Sequence, residues 1–113
     1  MSQLTTHILD TTLGRPAAGV AIALHEPAGP DAWREIARGT TNADGRIPDL
    51  LPPAQRLAPG VYKLKFFTRE YFERMSTPHF YPIVEIYFTV ADDAHYHVPL
   101  LLNPFGYSTY RGS

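Results

Sequence analysis

With 113 residues and a hydrophobic fraction of 44%, the chain has material for one core and for one globular domain over residues 1–113. A formal net charge of −1 gives no field to gather nucleic acid or an anionic membrane, and the absence of cysteine rules out disulfides and thiolate metal sites. Eleven prolines work against long helices and favour short strands joined by stiff turns. No apolar run approaches the roughly 20 residues that span a bilayer. The start, Met1 to His7, has neither the basic nor the apolar part of a secretory signal. The expectation is a cytoplasmic protein with no nucleic-acid or membrane partner.

Leu4 to Asp10 alternates, with Leu4, Thr6, Ile8 and Asp10 against Thr5, His7 and Leu9, and predicts a strand. Asp10 to Pro16 reads as a loop, closed by a proline that cannot continue a ladder. Val20 to His25 predicts a second strand and Trp33 to Thr40 a third. Thr41-Asn42-Ala43-Asp44-Gly45-Arg46 is an Asx/Gly turn that places Arg46 at the start of a short fourth strand. After a proline-rich loop from Pro52 to Gly60, Val61 to Thr68 predicts a fifth strand. Arg69 to Met75 is the one plausible helix, stopped by Ser76-Thr77-Pro78. Tyr81 to Val90 predicts the sixth strand. About eight short strands with regular turn signals mean an all-β sandwich.

The last nineteen residues, His95 to Ser113, carry the most information. On a period of two, Tyr96, Val98, Leu100 and Leu102 suit a core, whereas His95 and His97 open the opposite face. Asn103-Pro104 turns the chain, and Phe105 to Tyr110 resumes as a final strand, closing on Tyr110-Arg111-Gly112-Ser113. This ending closely resembles that of the transthyretin-like 5-hydroxyisourate hydrolases, apart from Asn103, where that family more often has serine. Leu4 to Asp10, Gly14-Arg15-Pro16-Ala17, Thr41 to Arg46 and Phe80 to Phe88 are similar to further signatures of the family, so the resemblance covers nearly the whole chain.

The resemblance implies two four-stranded sheets with a short helix after the fifth strand, assembled as a homotetramer. It also implies a cofactor-free enzyme that opens the lactam ring of 5-hydroxyisourate, the small-molecule product of urate oxidation. Residue chemistry alone reaches only a hydrolase of a small polar ring. Of the five histidines, His25, His79 and His95 read as surface or structural. His7 and His97 sit mid-strand, and the resemblance places both in the active site. Two histidines at i, i+2 share a face, but with no nearby carboxylate or cysteine a metal site is not expected.

Arg46 is either a solvated turn residue or a planar fork aimed at ring oxygens. The catalytic set expected is His7, Arg46, His97 and Ser113, with His7, Arg46 and Tyr110 contacting substrate. Ser108, Tyr110 and Gly112 share a face, so Arg111 points away, toward an ion pair or a subunit contact. Lys63 and Lys65 read as solvated, Phe66, Tyr71, Phe72 and Phe88 as core, and Tyr62 and Tyr107 as packing residues. The competing reading is a carrier of apolar ligands on the same fold. Such a channel wants small or apolar walls, and His7, Arg46, His97 and Tyr110 argue against it.

Overall fold

The computed structural model describes residues 2–113. In chain order it contains β1 (Leu4–Asp10), β2 (Arg15–Pro16), β3 (Ala21–Pro27), β4 (Trp33–Thr40), β5 (Gly60–Phe66), α1 (Thr68–Arg74), β6 (Val84–Val90), β7 (Tyr96–Asn103) and β8 (Gly106–Thr109). Two four-stranded sheets form, ordered β2-β1-β7-β8 and β4-β3-β5-β6. The first is built on a parallel pair, β1 with β7, in the register Leu4↔Tyr96 through Asp10↔Leu102. Parallel neighbours need a long crossover, and here the entire second sheet and α1 lie between them in the chain.

The period-two pattern sends Leu4, Ile8, Leu100 and Leu102 inward, where they meet Ile22, Leu24, Leu64, Phe66 and Val84 of the second sheet, all essentially buried. Polar groups on the inner face are satisfied locally. Thr6 Oγ1 donates to the Val98 carbonyl at 2.7 Å. Asp10 accepts from the Leu13 amide at 2.9 Å and from the Tyr71 hydroxyl at 2.6 Å. Burial, followed by that carboxylate, pushes the Tyr71 phenol well above its ordinary pKa. α1 thereby locks its buried Tyr71 and Phe72 onto the end of β1.

Several expectations are corrected. Arg15–Pro16 is not loop but a two-residue edge strand, paired Leu9↔Pro16 and Asp10↔Arg15. A proline is tolerated there because an edge strand has one side free of ladder bonds. Arg46 begins no strand: it forms an isolated bridge to His7, and Pro48 follows too soon for a ladder. Between them these two short segments cover the outer edge of β1. β6 starts only at Val84, beyond Pro82, and α1 starts one residue earlier than expected, at Thr68.

Lys63 is not solvated. It is 8% exposed, its Nζ lies 3.3 Å from Glu85, and the rings of Trp33 and Tyr87 flank it at 4.9 and 5.8 Å. Two rings set edge to face against each other, with centroids 5.5 Å apart, and one carboxylate replace the water an ammonium normally keeps. Tyr62 and Phe66 pack as expected, and the Tyr62 hydroxyl donates to the Ala58 carbonyl at 2.6 Å. Tyr107 is 42% exposed and packs edge-on against Tyr81.

Candidate active site

Alternation along the parallel pair puts Thr5 and His7 of β1 on the outer face, with His97 of β7 and His95 just before it. The register sets Thr5 beside His97 and His7 beside Pro99. Three of these four side chains are imidazoles, and two further segments close around them.

The first is the Asx turn. Asn42 Oδ1 accepts from the amides of Asp44, at 2.9 Å, and Arg46, at 3.2 Å, and the Asn42 amide donates to the Arg46 carbonyl at 2.8 Å. Gly45 occupies the left-handed region (φ 72°), and its carbonyl accepts from the Ile8 amide at 2.9 Å. A Cβ there would lie 2.5 Å from the Ile8 carbonyl oxygen and 3.3 Å from His7 Cδ2. Only glycine lets the turn press this closely on β1, and that approach delivers Arg46 beside His7.

The second is the C-terminal tail. β8 pairs with β7 from Asn103↔Gly106 to Leu100↔Thr109. The next β7 residue is Pro99, which has no amide to give, so the ladder breaks. Thr109 Oγ1 donates to the Pro99 carbonyl at 2.7 Å, and the same register resumes at His97↔Gly112, where the Gly112 amide donates to the His97 carbonyl at 2.9 Å. A Cβ on Gly112 would stand 2.4 Å from His97 Cδ2. The imidazole therefore lies directly over the tail backbone, and Ser113 reaches the site.

Thr5, Arg46, His95, His97 and Ser113 line a shallow pocket of about 280 Å³. His7 lies beside it, next to the Asp44 backbone and bridged to Arg46. Burial first, then the Arg46 charge, holds the His7 imidazole below its ordinary pKa. His97 is lowered by burial, then by Arg46, His95 and His7. Both rings are thus biased toward the neutral, proton-accepting form. Among the described residues no cluster of three or more His, Asp or Glu side chains has the spacing of a metal site.

Of the residues expected at the site, His7, Arg46, His97 and Ser113 come together. Tyr110 does not line this pocket. It is 58% exposed and borders a neighbouring, more apolar groove of about 310 Å³ shared with Ile86 and Phe88 of β6. Arg111 lines the same groove as Tyr110, and its partner is aromatic: the guanidinium sits 4.5 Å over the Tyr96 ring. Two residues were missed. Thr5 and His95 belong to the cluster, Thr5 Oγ1 lying 2.9 Å from His95 Nε2 and 2.8 Å from His97 Nδ1. The signal was available, since each sits two residues from an expected site histidine on the same strand face.

Two sheets with one helix after β5, and a face of imidazoles and a guanidinium on the outer side of the β1–β7 pair, define a transthyretin-like sandwich with a basic polar pocket. The chain belongs to the HIUase/Transthyretin family, whose model matches residues 4–112. It is 47% identical to the 5-hydroxyisourate hydrolase of Mus musculus, over 99% of this chain and 96% of the relative. Its fold matches the structure of Klebsiella pneumoniae 5-hydroxyisourate hydrolase with a TM-score of 0.84, at 39% identity over 100% of this chain and 94% of the other. Sea bream transthyretin in complex with thyroxine superposes with a TM-score of 0.90 at 33% identity, covering 97% of this chain and 94% of that one.

Proposed function

We propose that this chain hydrolyses 5-hydroxyisourate to 2-oxo-4-hydroxy-4-carboxy-5-ureidoimidazoline, with no cofactor. The observation that carries the reading is the convergence of Arg46, His97 and Ser113 on one pocket, with His7 bridged to Arg46 at its side. The fold itself cannot choose between hydrolase and carrier. The pocket favours the hydrolase, because unpaired cations and imidazoles are costly walls for an apolar ligand.

In the proposed reaction, His97 or His7 takes a proton from water as the oxygen attacks the lactam carbonyl. The C–N bond then breaks, and the ring nitrogen leaves with a proton returned by an imidazole. Atoms balance with one water consumed. The depressed pKa of both rings keeps a neutral base available near pH 7. The Arg46 fork holds the planar ring and stabilises the developing oxyanion, a contribution on the order of 3 kcal/mol for one good donor. Ser113 supplies a further hydrogen bond from the tail, and Tyr110 meets substrate from the adjoining groove.

Residues 1–113 are read as one folded unit that works as a cytoplasmic homotetramer. The support is geometric: the pocket of one chain is shallow and open, a poor place to exclude water, and a second subunit over it would close it. No helix among the described residues is long and apolar enough to cross a membrane. Freshly made 5-hydroxyisourate, followed by its ultraviolet decay with and without the protein, tests the activity. Decay at the uncatalysed rate refutes it.

A further inference from the structure

Thr5 holds two imidazoles at once, with Oγ1 at 2.9 Å from His95 Nε2 and 2.8 Å from His97 Nδ1. A hydroxyl carries one proton, so it donates to one ring and can only accept from the other. The tautomers of the two histidines are therefore coupled through a single rotor. The threonine is β-branched and sits within a ladder, which leaves its Cβ little freedom to swing away. His97 is fixed on its other edge as well, where Cδ2 rests against Gly112. Its Nε2 is the nitrogen left without a hydrogen-bond partner among the described residues.

For that nitrogen to accept a proton from water it must be bare. The neutral ring then carries its proton on Nδ1 and donates it to Thr5. Thr5 in turn donates to His95 Nε2, so His95 holds its own proton on Nδ1. This chain of donors survives when His97 becomes charged, because Nδ1 keeps its proton throughout.

We propose that Thr5 is a positioning residue which, backed by His95, holds His97 in the Nδ1–H form.

The neighbouring groups agree with this assignment. Arg46 and Ser113 line the same pocket, and His7 and Arg46 act on His97 through space. Asp92, in the turn before His95, is engaged by the Ala94 amide and the Tyr96 hydroxyl, and Arg111 stacks on Tyr96 across the sheet. The hydroxyl of Thr5 is thus the one recorded hydrogen-bond partner of the His95 side chain among the described residues.

The inference rests on the reading of His97 as a base, and the test separates the two. Nitrogen-15 spectra of the imidazoles in substrate-free protein report tautomers directly, and kcat against pH with 5-hydroxyisourate reports the consequence. The wild-type chain should show His97 mainly as Nδ1–H at neutral pH. Thr5→Val should move it toward Nε2–H and lower kcat about 10–100-fold with little change in KM, as loss of an outer partner of a working histidine does. Thr5→Ser should restore both. His95→Leu, which removes the acceptor behind the Thr5 hydroxyl, should shift the His97 tautomer the same way and lower kcat several-fold. His97 found as Nε2–H in the wild type, or a Thr5→Val protein with unaltered tautomer and kcat, overturns the proposal. Absence of turnover in every protein refutes the hydrolase reading alone, since the spectra need no substrate.

Discussion

The outer faces of the two sheets both carry charge, and they dispose of it in opposite ways. On β3 to β6 the cations are answered from within. Arg34 pairs with Glu26, Arg38 with Glu35 at 2.9 Å, and Lys63 with Glu85 at 3.3 Å. On the β1–β7 face Arg46 and three imidazoles gather; Asp44 acts through space on His7, but no side-chain carboxylate lines the pocket, and none of the ion pairs among the described residues falls there. A folded chain gains little from exposed pairs, but it loses something by collecting like-signed groups. The second face is therefore left incomplete in a way that an anionic or oxygen-rich ligand would complete. Charge that is paired serves the fold; charge left unpaired in a pocket is available to a ligand.

The most severe way to break this contrast is to remove Tyr110 to Ser113. That deletes Ser113 and unseats the backbone under His97, and hydrolysis should fall by about 10³–10⁴-fold, toward the uncatalysed rate. The sandwich should survive, because the cut lies beyond the β7–β8 ladder and Tyr110 is exposed. Undiminished hydrolysis by a truncated protein with native circular dichroism would remove the tail from the site.

Single histidines come next. His97→Ala and His7→Ala should each slow the catalysed decay of 5-hydroxyisourate by roughly 10²–10⁴-fold, with melting curves nearly unmoved. A near wild-type rate in either variant would show that residue to be misassigned. Arg46→Lys keeps the charge but loses the planar fork, so it should still cost about 10–100-fold in kcat/KM. Equal turnover would mean that Arg46 acts only as a diffuse charge.

On the other sheet the same kind of change should do almost nothing to catalysis. Lys63→Met replaces a nearly buried ammonium beside two rings by a side chain of similar length. Removing one partner of a buried pair costs most where the other charge is left dry, and the Glu85 side chain is 35% exposed, so Tm should fall by no more than about 4–8 °C while hydrolysis stays within about twofold of wild type. A large loss of activity would mean that the two faces communicate.

The smallest effect is in proton linkage. His7 and His97 have folded pKa values below the ordinary imidazole value, so the unfolded chain takes up protons first. Stability contributed by these groups is whole above about pH 6.5 and is lost as pH falls through the folded values. His25, on the second sheet, is lowered too, by burial and then by Lys63. The melting temperature should therefore fall on acidification, and His7→Asn/His97→Asn should flatten that fall without abolishing it. Identical pH profiles in the two proteins would contradict the assignment.

Strand alternation is a local property, so β1, β7 and their inward faces were legible in the sequence. What failed were features that depend on a neighbour distant in the chain. Pro16 reads as a ladder breaker until β1 supplies an edge where its missing amide does no harm. Lys63 reads as solvated because Trp33 and Tyr87, the rings that enclose it, come from two other strands. Thr5 and His95 are 90 residues apart, and nothing in either stretch announces that a parallel register will make them touch. Conversely, the grouping of Arg46, His97 and Ser113 in one pocket, with His7 beside it, follows the motif resemblance, which carries three-dimensional information that periodicity lacks.

The proline in the middle of β7 has a consequence for measurement. Because Pro99 interrupts the ladder, the segment beyond Thr109 is fastened to β7 by one recorded backbone bond, from the Gly112 amide to the His97 carbonyl. Deuterium uptake at that single amide therefore counts the openings of the tail, independently of the slow exchange expected along the inner strands. Because the imidazole of His97 lies against the same glycine, its ring current should also displace the Gly112 α-proton resonances, so that one residue reports both how often the tail lifts and how the histidine above it is turned.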